Sequence, residues 1–495
     1  MRGNRRRERP SRQEVPPVLR SLLALVLVVA GLWCLEAARS GVAITRADVG
    51  ATPVTRYARP GADGPVVVIA HGFAGSRQMM AGYALPLARA GYRVHAFDFL
   101  GHGRNPVPMS GDVTAQDGAT RRLVVQTETV IDAVAEGTPV ALLGHSMATD
   151  VLARVAAARD DIGPVVLVSA YSGAIDATTP RDLLIIAGAW EPGLRGFARE
   201  ALRMVDPAAD EGDTARAGTV IRRAVAAPFS EHVAVLQSRV GRAEAVGWLD
   251  RAYGRTHPVT IPPTGWAILA VLGGLVAGIV PLARRLPARA APPLPLGRGR
   301  LAAVTLVPAI AAPAGAVLLD VSALPVLVAD HLAVHLGLFG ALQLALLWRW
   351  GARPGGLSLA GLGLLLAWSV LFGVALDRYA ANFWPVAERL PIIAALAAGA
   401  LPFMLADAVL THGAPLGRRI ALRGAFLVSL GLAVALAPRE LFFLVMIAPV
   451  ILLFYAVFGT AGRAVSARTG PLAPGIALGL VLAWALGVSF PLFAA

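Results

Sequence analysis

Residues 140–149 read Val140-Ala-Leu-Leu-Gly144-His145-Ser146-Met147-Ala148-Thr149, an apolar run that passes directly into Gly-His-Ser-Met-Ala. The apolar part reads as a buried strand, and a helical pattern follows the serine. A serine at the tip of a strand-to-helix turn holds its hydroxyl clear of the backbone. The helix N-terminus behind it favours developing negative charge. Such a turn is tight, so the residues two before and two after the serine must be small. Gly144 and Ala148 satisfy this, with Ala148 standing where a second glycine is usual. The pentapeptide alone does not separate a nucleophile from an ordinary turn; its neighbours do.

Working outward, Val66-Val-Val-Ile-Ala-His71-Gly72-Phe73 is a second apolar strand, ending in His-Gly. A loop here can place a backbone N–H beside the serine, and the N–H groups of Phe73 and Met147 are the expected oxyanion donors. His71 reads as a brace for the turn rather than as the base. A third segment runs Gly91-Tyr-Arg-Val-His-Ala-Phe-Asp98-Phe-Leu-Gly101-His102-Gly103-Arg104-Asn105, in which Asp98 and His102 read as structural.

In order and spacing, His-Gly-Phe, Asp-x-x-Gly-His-Gly and Gly-His-Ser-Met resemble the α/β-hydrolase superfamily, and within it the monoglyceride-lipase and serine-aminopeptidase-like branch. The resemblance covers about residues 60–255, and Asn105 departs from the serine usual in that branch. It implies that an acid follows the serine and a histidine comes last. Glu191, three residues after Gly188 at a strand end, takes the acid's place. Asp176, after the preceding strand, is the second candidate. His232 in Pro228-Phe-Ser-Glu-His232 takes the base's place. The catalytic set implied is therefore Ser146, His232 and Glu191, with no cofactor and no metal. Between Ser169 and Arg181 there is no room for a cap domain, so the site is expected to be open or covered by the rest of the chain.

Around this core the chain alternates strand-like runs with helical patterns. Strands are expected at 66–70, 92–97, 140–143, 165–169, 183–187 and 220–226, giving a mostly parallel sheet covered by helices on both faces. The flanks differ. The 495 residues are 56% hydrophobic and 15% charged, against roughly 25% charged in soluble domains. About eight apolar runs follow residue 264, at 264–282, 301–319, 325–347, 357–376, 390–410, 421–437, 441–460 and 471–493. Each is close to the ~20 residues a helix needs to cross a bilayer. Another, at 18–35, follows an Arg-rich start (Arg5, Arg6, Arg7, Arg9, Arg12) and reads as an uncleaved anchor in preference to a signal peptide. The expected division is a basic N-terminus and anchor at 1–40, an α/β-hydrolase domain without a cap at 41–258, and an all-α polytopic transmembrane domain at 259–495.

The net charge of +14 does not point to nucleic acid. Residues 1–40 carry eight Arg against three acids, 41–263 carry 22 against 22, and 264–495 carry 15 against six. The soluble part is neutral and the excess flanks the apolar runs, as the positive-inside rule describes. Alternate loops are basic (Arg284, Arg285, Arg289, Arg298 and Arg300; Arg349 and Arg353; Arg418, Arg419 and Arg423; Arg463 and Arg468). That places them in the cytoplasm, the protein in the inner membrane as a multi-pass chain, and the hydrolase domain outside the cytoplasm. Cys34, the only cysteine, excludes an intrachain disulfide and reads as a buried thiol.

Within the apolar part, His331 and His335 lie one turn apart beside Asp330. Hydrogen bonding between helices is expected there in preference to metal binding, since no third ligand is evident. Asp407 and His412 are expected to reach water. These features predict a membrane-bound serine hydrolase acting on an ester, thioester or amide. Lipid-like or acylated substrates are favoured over small polar ones, and acyl transfer remains open. The contrasting expectation is a membrane transporter or sensor with a non-catalytic hydrolase-like binding domain.

Overall fold

The computed structural model describes residues 16–112, 116–258, 260–288 and 292–494. The arginines of the first 15 residues and Arg289 lie outside the described residues. One sheet of nine strands holds the first half together: β1 (Ala43–Val49), β2 (Thr52–Ala58), β3 (Val66–Ala70), β4 (Arg93–Phe97), β5 (Val140–His145), β6 (Ile162–Val168), β7 (Asp182–Gly188), β8 (Thr214–Ala217) and β9 (Val220–Ala227). The spatial order is β1-β2-β4-β3-β5-β6-β7-β9-β8. The six strands from β4 to β9 in that order pair in parallel, and β1, β2 and β8 pair antiparallel at the two edges.

The fifteen helices of the described residues are α1 (Pro17–Arg39), α2 (Ala81–Arg89), α3 (Arg121–Val134), α4 (Met147–Ala158), α5 (Pro192–Arg203), α6 (Arg239–Ala252), α7 (Thr264–Ala283), α8 (Arg298–Leu319), α9 (Ala329–Arg349), α10 (Leu359–Tyr379), α11 (Leu390–Thr411), α12 (Leu416–Leu436), α13 (Pro438–Leu441), α14 (Leu444–Thr469) and α15 (Leu472–Ser489). Side chains alternate across the sheet, so each central strand feeds two cores. Val66, Val68, Leu142 and Leu167 pack with α3, α4 and α5. Val67, Ile69, Leu143 and Val166 pack with α2 and α6. Only residues 169–181 connect β6 to β7, so no cap domain interrupts the sheet there.

Nine helices of the described residues are long and apolar enough to cross a membrane: α1 and the eight long helices from α7 onward. α1 lies against α7, where a side chain on Gly31 would strike Val271 and one on Gly274 would strike Val28. Small residues at such crossings let helix backbones approach closely. Glu36 of α1 also accepts from Arg378 at the end of α10, at 2.8 and 2.9 Å. Cys34 is only partly buried, beside Leu35, Ala267 and Val271. The expectation of a buried thiol is corrected to that extent, because a helix on the rim of a bundle leaves one flank uncovered.

The two parts of the chain are fastened at the C-terminal edge of the sheet. Arg104 Nη2 donates to both carboxylate oxygens of Asp377, at 2.8 and 2.7 Å, and Arg104 Nε donates to Asn382 at 3.0 Å. Arg389, fully buried, donates to the carbonyls of Gly101 at 2.8 Å, Gly487 at 3.3 Å and Phe490. The last described residues pair with the same loop: Leu492 N–H donates to Gly101 O at 2.9 Å, Met109 N–H to Leu492 O at 2.9 Å, and Ala494 N–H to Met109 O at 2.6 Å.

Candidate active site

β5 ends at His145 and α4 begins at Met147, so Ser146 forms the whole turn between them. Its backbone lies at φ 54, ψ −119, a strained region for a residue with a side chain. A Cβ on Gly144 would lie 3.2 Å from that of Ala148, which is why both flanking positions must be small and why alanine is admitted at the second. The strain aims the Ser146 hydroxyl at His232, whose Nε2 lies 2.8 Å away. His232 Nδ1 lies 2.5 Å from Glu191 Oε1. An ionised Glu191 can only accept, so Nδ1 carries the ring proton and Nε2 accepts from the serine.

Glu191 follows β7 and immediately precedes α5. Its second oxygen accepts from Ser169 Oγ at 2.7 Å and from Gly188 N–H at 2.6 Å. Burial works to raise this carboxyl. The hydrogen bonds from His232, Ser169 and Gly188 outweigh it and hold the group below the ordinary glutamate value. Asp176 is not near this arrangement: it is exposed, and its carboxylate accepts from the Thr178 and Thr179 N–H groups at 2.8 and 2.9 Å.

Two contributors carried no signal that the sequence reading used. Ser169 follows β6 as Ser146 follows β5 and Glu191 follows β7, so its position at a neighbouring strand end was the available clue. His145 donates from Nε2 to the carbonyl of His232 at 2.8 Å and so fixes the loop that presents the imidazole. Burial pushes His145 down to about 4, with the nearby His232 acting in the same direction. It therefore stays neutral at pH 7.

The His71-Gly72-Phe73 loop lies against the serine: a Cβ on Gly72 would come within 3.0 Å of Ser146 Cβ. His71 donates to Gly72 O at 2.7 Å and accepts from Phe99 N–H at 3.1 Å. Burial lowers His71 to about 4 and His102 to about 3, so both are neutral braces. Met147 is the first helical residue, and its N–H precedes the intrahelical ladder. Phe73 N–H donates to no acceptor among the described residues. Both amides thus remain available beside the serine.

Asp98 sits behind this loop. It accepts from Arg77 N–H at 2.7 Å, from the Arg77 guanidinium and from Arg104 N–H at 2.9 Å. Gly103, at φ +53, leaves no space for a side chain, because a Cβ would meet the Asp98 carboxylate at 2.4 Å. The Asp-x-x-Gly-His-Gly segment is therefore a scaffold, and Arg104 extends it to the helical domain.

Residues 65–206 match the family model described as alpha/beta hydrolase fold. Together with the sheet, this match shows an α/β-hydrolase domain followed by a helical region rich in apolar spans. Among solved structures, the chain is similar to a CIB-like hydrolase from Thermoplasma acidophilum at 15% identity, covering 43% of this chain and 100% of that one, with a TM-score of 0.34. It is similar to a ferulic acid esterase from Streptomyces cinnamoneus at 15% identity, covering 43% and 87%, with a TM-score of 0.32. It is also similar to an epoxide hydrolase from Vigna radiata at 24% identity and a TM-score of 0.23, covering 27% of this chain and only 41% of that one. No curated protein matches the chain.

Three residues of the helical part differ from expectation or extend it. Asp407 is buried and accepts from Arg423 at 2.9 and 2.8 Å, and His412 lies 2.8 Å from Ser466 Oγ. Both were expected to reach water; Asp407 is held in the bundle by its partner on the next helix instead, whereas His412 is only part-buried. His335 Nε2 lies 2.8 Å from Ser429 Oγ of α12, a bond between helices. No group of three or more metal-ligating side chains occurs among the described residues.

Proposed function

We propose that this protein is a membrane-bound serine hydrolase that cleaves an ester, thioester or amide through an acyl-Ser146 intermediate. The observation that carries the reading is the continuous relay from Ser146 Oγ through His232 to Glu191, at 2.8 and 2.5 Å, on a strained strand-to-helix turn. Ser146 Oγ attacks the acyl carbon while its proton passes to His232 Nε2. Glu191 stabilises the resulting imidazolium. The N–H groups of Phe73 and Met147 take the oxyanion, each donor being worth about 10²–10³ in rate. The tetrahedral intermediate collapses as His232 returns the proton to the leaving group. Water, deprotonated by His232, then attacks the acyl-enzyme and frees Ser146.

Exposed apolar side chains close to these residues favour a lipid-like or acylated substrate. Tyr171 is 71%, Trp190 65% and Phe229 84% exposed, and each stands within three residues of Ser169, Glu191 or His232. The basic loops favour an orientation with the hydrolase domain on the outer side of the inner membrane, and the packing of α1 against α7 supports its role as a permanent anchor. A fluorophosphonate probe applied to membranes tests the reading. The wild-type chain should label and Ser146→Ala should not; absence of wild-type labelling would overturn the serine mechanism. A panel of acyl chain lengths on the labelled protein then sorts the substrate class.

A further inference from the structure

The end of the helical domain remote from the hydrolase holds a cavity of about 440 Å³. It is lined from α11, α12 and α14 by Asp407, His412, Arg419, Arg423, Arg463 and Ser466, with smaller residues between them. Three guanidinium groups and one carboxylate face it. The carboxylate is already engaged: Asp407 takes two hydrogen bonds from Arg423, whose guanidinium also lies 4.1 Å over the ring of Tyr455. Arg463 donates only to the Thr460 hydroxyl, at 2.8 Å, among the described residues. The Arg419 side chain has no hydrogen bond and no ion pair among them, and its Nε is buried without a partner.

Two part-buried guanidinium groups therefore stand in this cavity with no carboxylate in salt-bridge contact among the described residues. Charges in such a setting are costly unless paired. A planar guanidinium presents parallel N–H groups that match the oxygens of a phosphate. We propose that this cavity binds a phosphate-bearing anion through Arg419 and Arg463, with the Arg423–Asp407 pair as its fixed wall. The phosphate can arrive as the headgroup of an anionic lipid or free in solution, and the two sources separate experimentally.

The test uses the full chain. Its thermal midpoint is measured in phosphatidylcholine nanodiscs with and without phosphatidylglycerol, and in detergent with inorganic phosphate against chloride at equal ionic strength. A rise with phosphatidylglycerol alone assigns the lipid headgroup, and a rise with inorganic phosphate assigns the free anion. No rise in either overturns the proposal on the wild-type protein alone. The double variant Arg419→Gln, Arg463→Gln should lose the response. The variant Arg419→Lys, Arg463→Lys keeps the charge but not the fork, and should bind the responding probe at least about tenfold more weakly. An unchanged response in either folded variant overturns the assignment of these residues.

Discussion

The ring of Phe73, whose amide borders Ser146, meets the ring of Phe443 from the segment between α13 and α14 at 5.5 Å. Phe73 also lies 5.5 Å from His102. The loop beside the nucleophile is thus held between the hydrolase scaffold and the helical domain. Removing the far side should loosen the oxyanion donor without touching the relay. Phe443→Ala is expected to lower kcat several-fold while fluorophosphonate labelling of Ser146 persists. An unaltered kcat would show that the contact does not position the loop.

Ser146→Ala should abolish turnover and leave the thermal midpoint close to that of the wild type. The loss should be roughly 10⁴-fold or more, because the relay acts as a unit. Purified variant retaining more than a tenth of the activity would remove Ser146 from the mechanism.

Glu191→Gln should cost about 10⁴-fold in kcat, since an amide cannot hold the imidazole in the needed tautomer and charge state. Asp176→Asn should leave kcat within a factor of a few, as its carboxylate serves a surface turn. If only the second change is damaging, the acid has been misassigned.

Acid should destabilise the hydrolase domain well above the carboxylate range. His71 and His145 are lowered to about 4 and His102 to about 3, in each case chiefly by burial. Their unfolded values lie near 6.5, so between that value and the folded one the unfolded chain binds more protons. The stability they lend is complete above about pH 6.5 and lost as pH falls toward 4, at about 1.4 kcal/mol per pH unit for each. Midpoints measured from pH 7.5 to 5 should fall; a flat profile would contradict the buried neutral assignment.

The Arg104–Asp377 pair makes a claim about coupling. Either Arg104→Ala or Asp377→Ala should cost about 1–3 kcal/mol, since each leaves a charged partner largely buried. The double variant should be little worse than the poorer single one. Midpoint shifts that add in full would mean the two residues act independently.

The central sheet and the relay were legible because each rests on local pattern. β3, β5, β6 and β7 are buried on both faces and read as continuous apolar runs, and Gly-x-Ser with small flanks has few structural meanings. The edge strands were not legible. β1 reads Ala-Ile-Thr-Arg-Ala-Asp-Val and is largely exposed, so no apolar periodicity marks it, and β8 is four residues long and mostly exposed. Long-range partners were invisible for another reason. Nothing in the spacing of Asp407 shows that Arg423, on the next helix, reaches back to it, nor that Phe443 returns to Phe73 from some 370 residues away.

The pairing of Leu492 and Ala494 with Gly101 and Met109 also bears on time. A ribosome adding about 5–20 residues per second completes those partners roughly 20–80 s after the loop has been made. The hydrolase sheet can collapse meanwhile, but the backbone groups of Gly101 and Met109 must wait for the final helix to insert. A chain cut short before Ser489 would therefore carry every residue of the relay and still lack the strap that closes its scaffold.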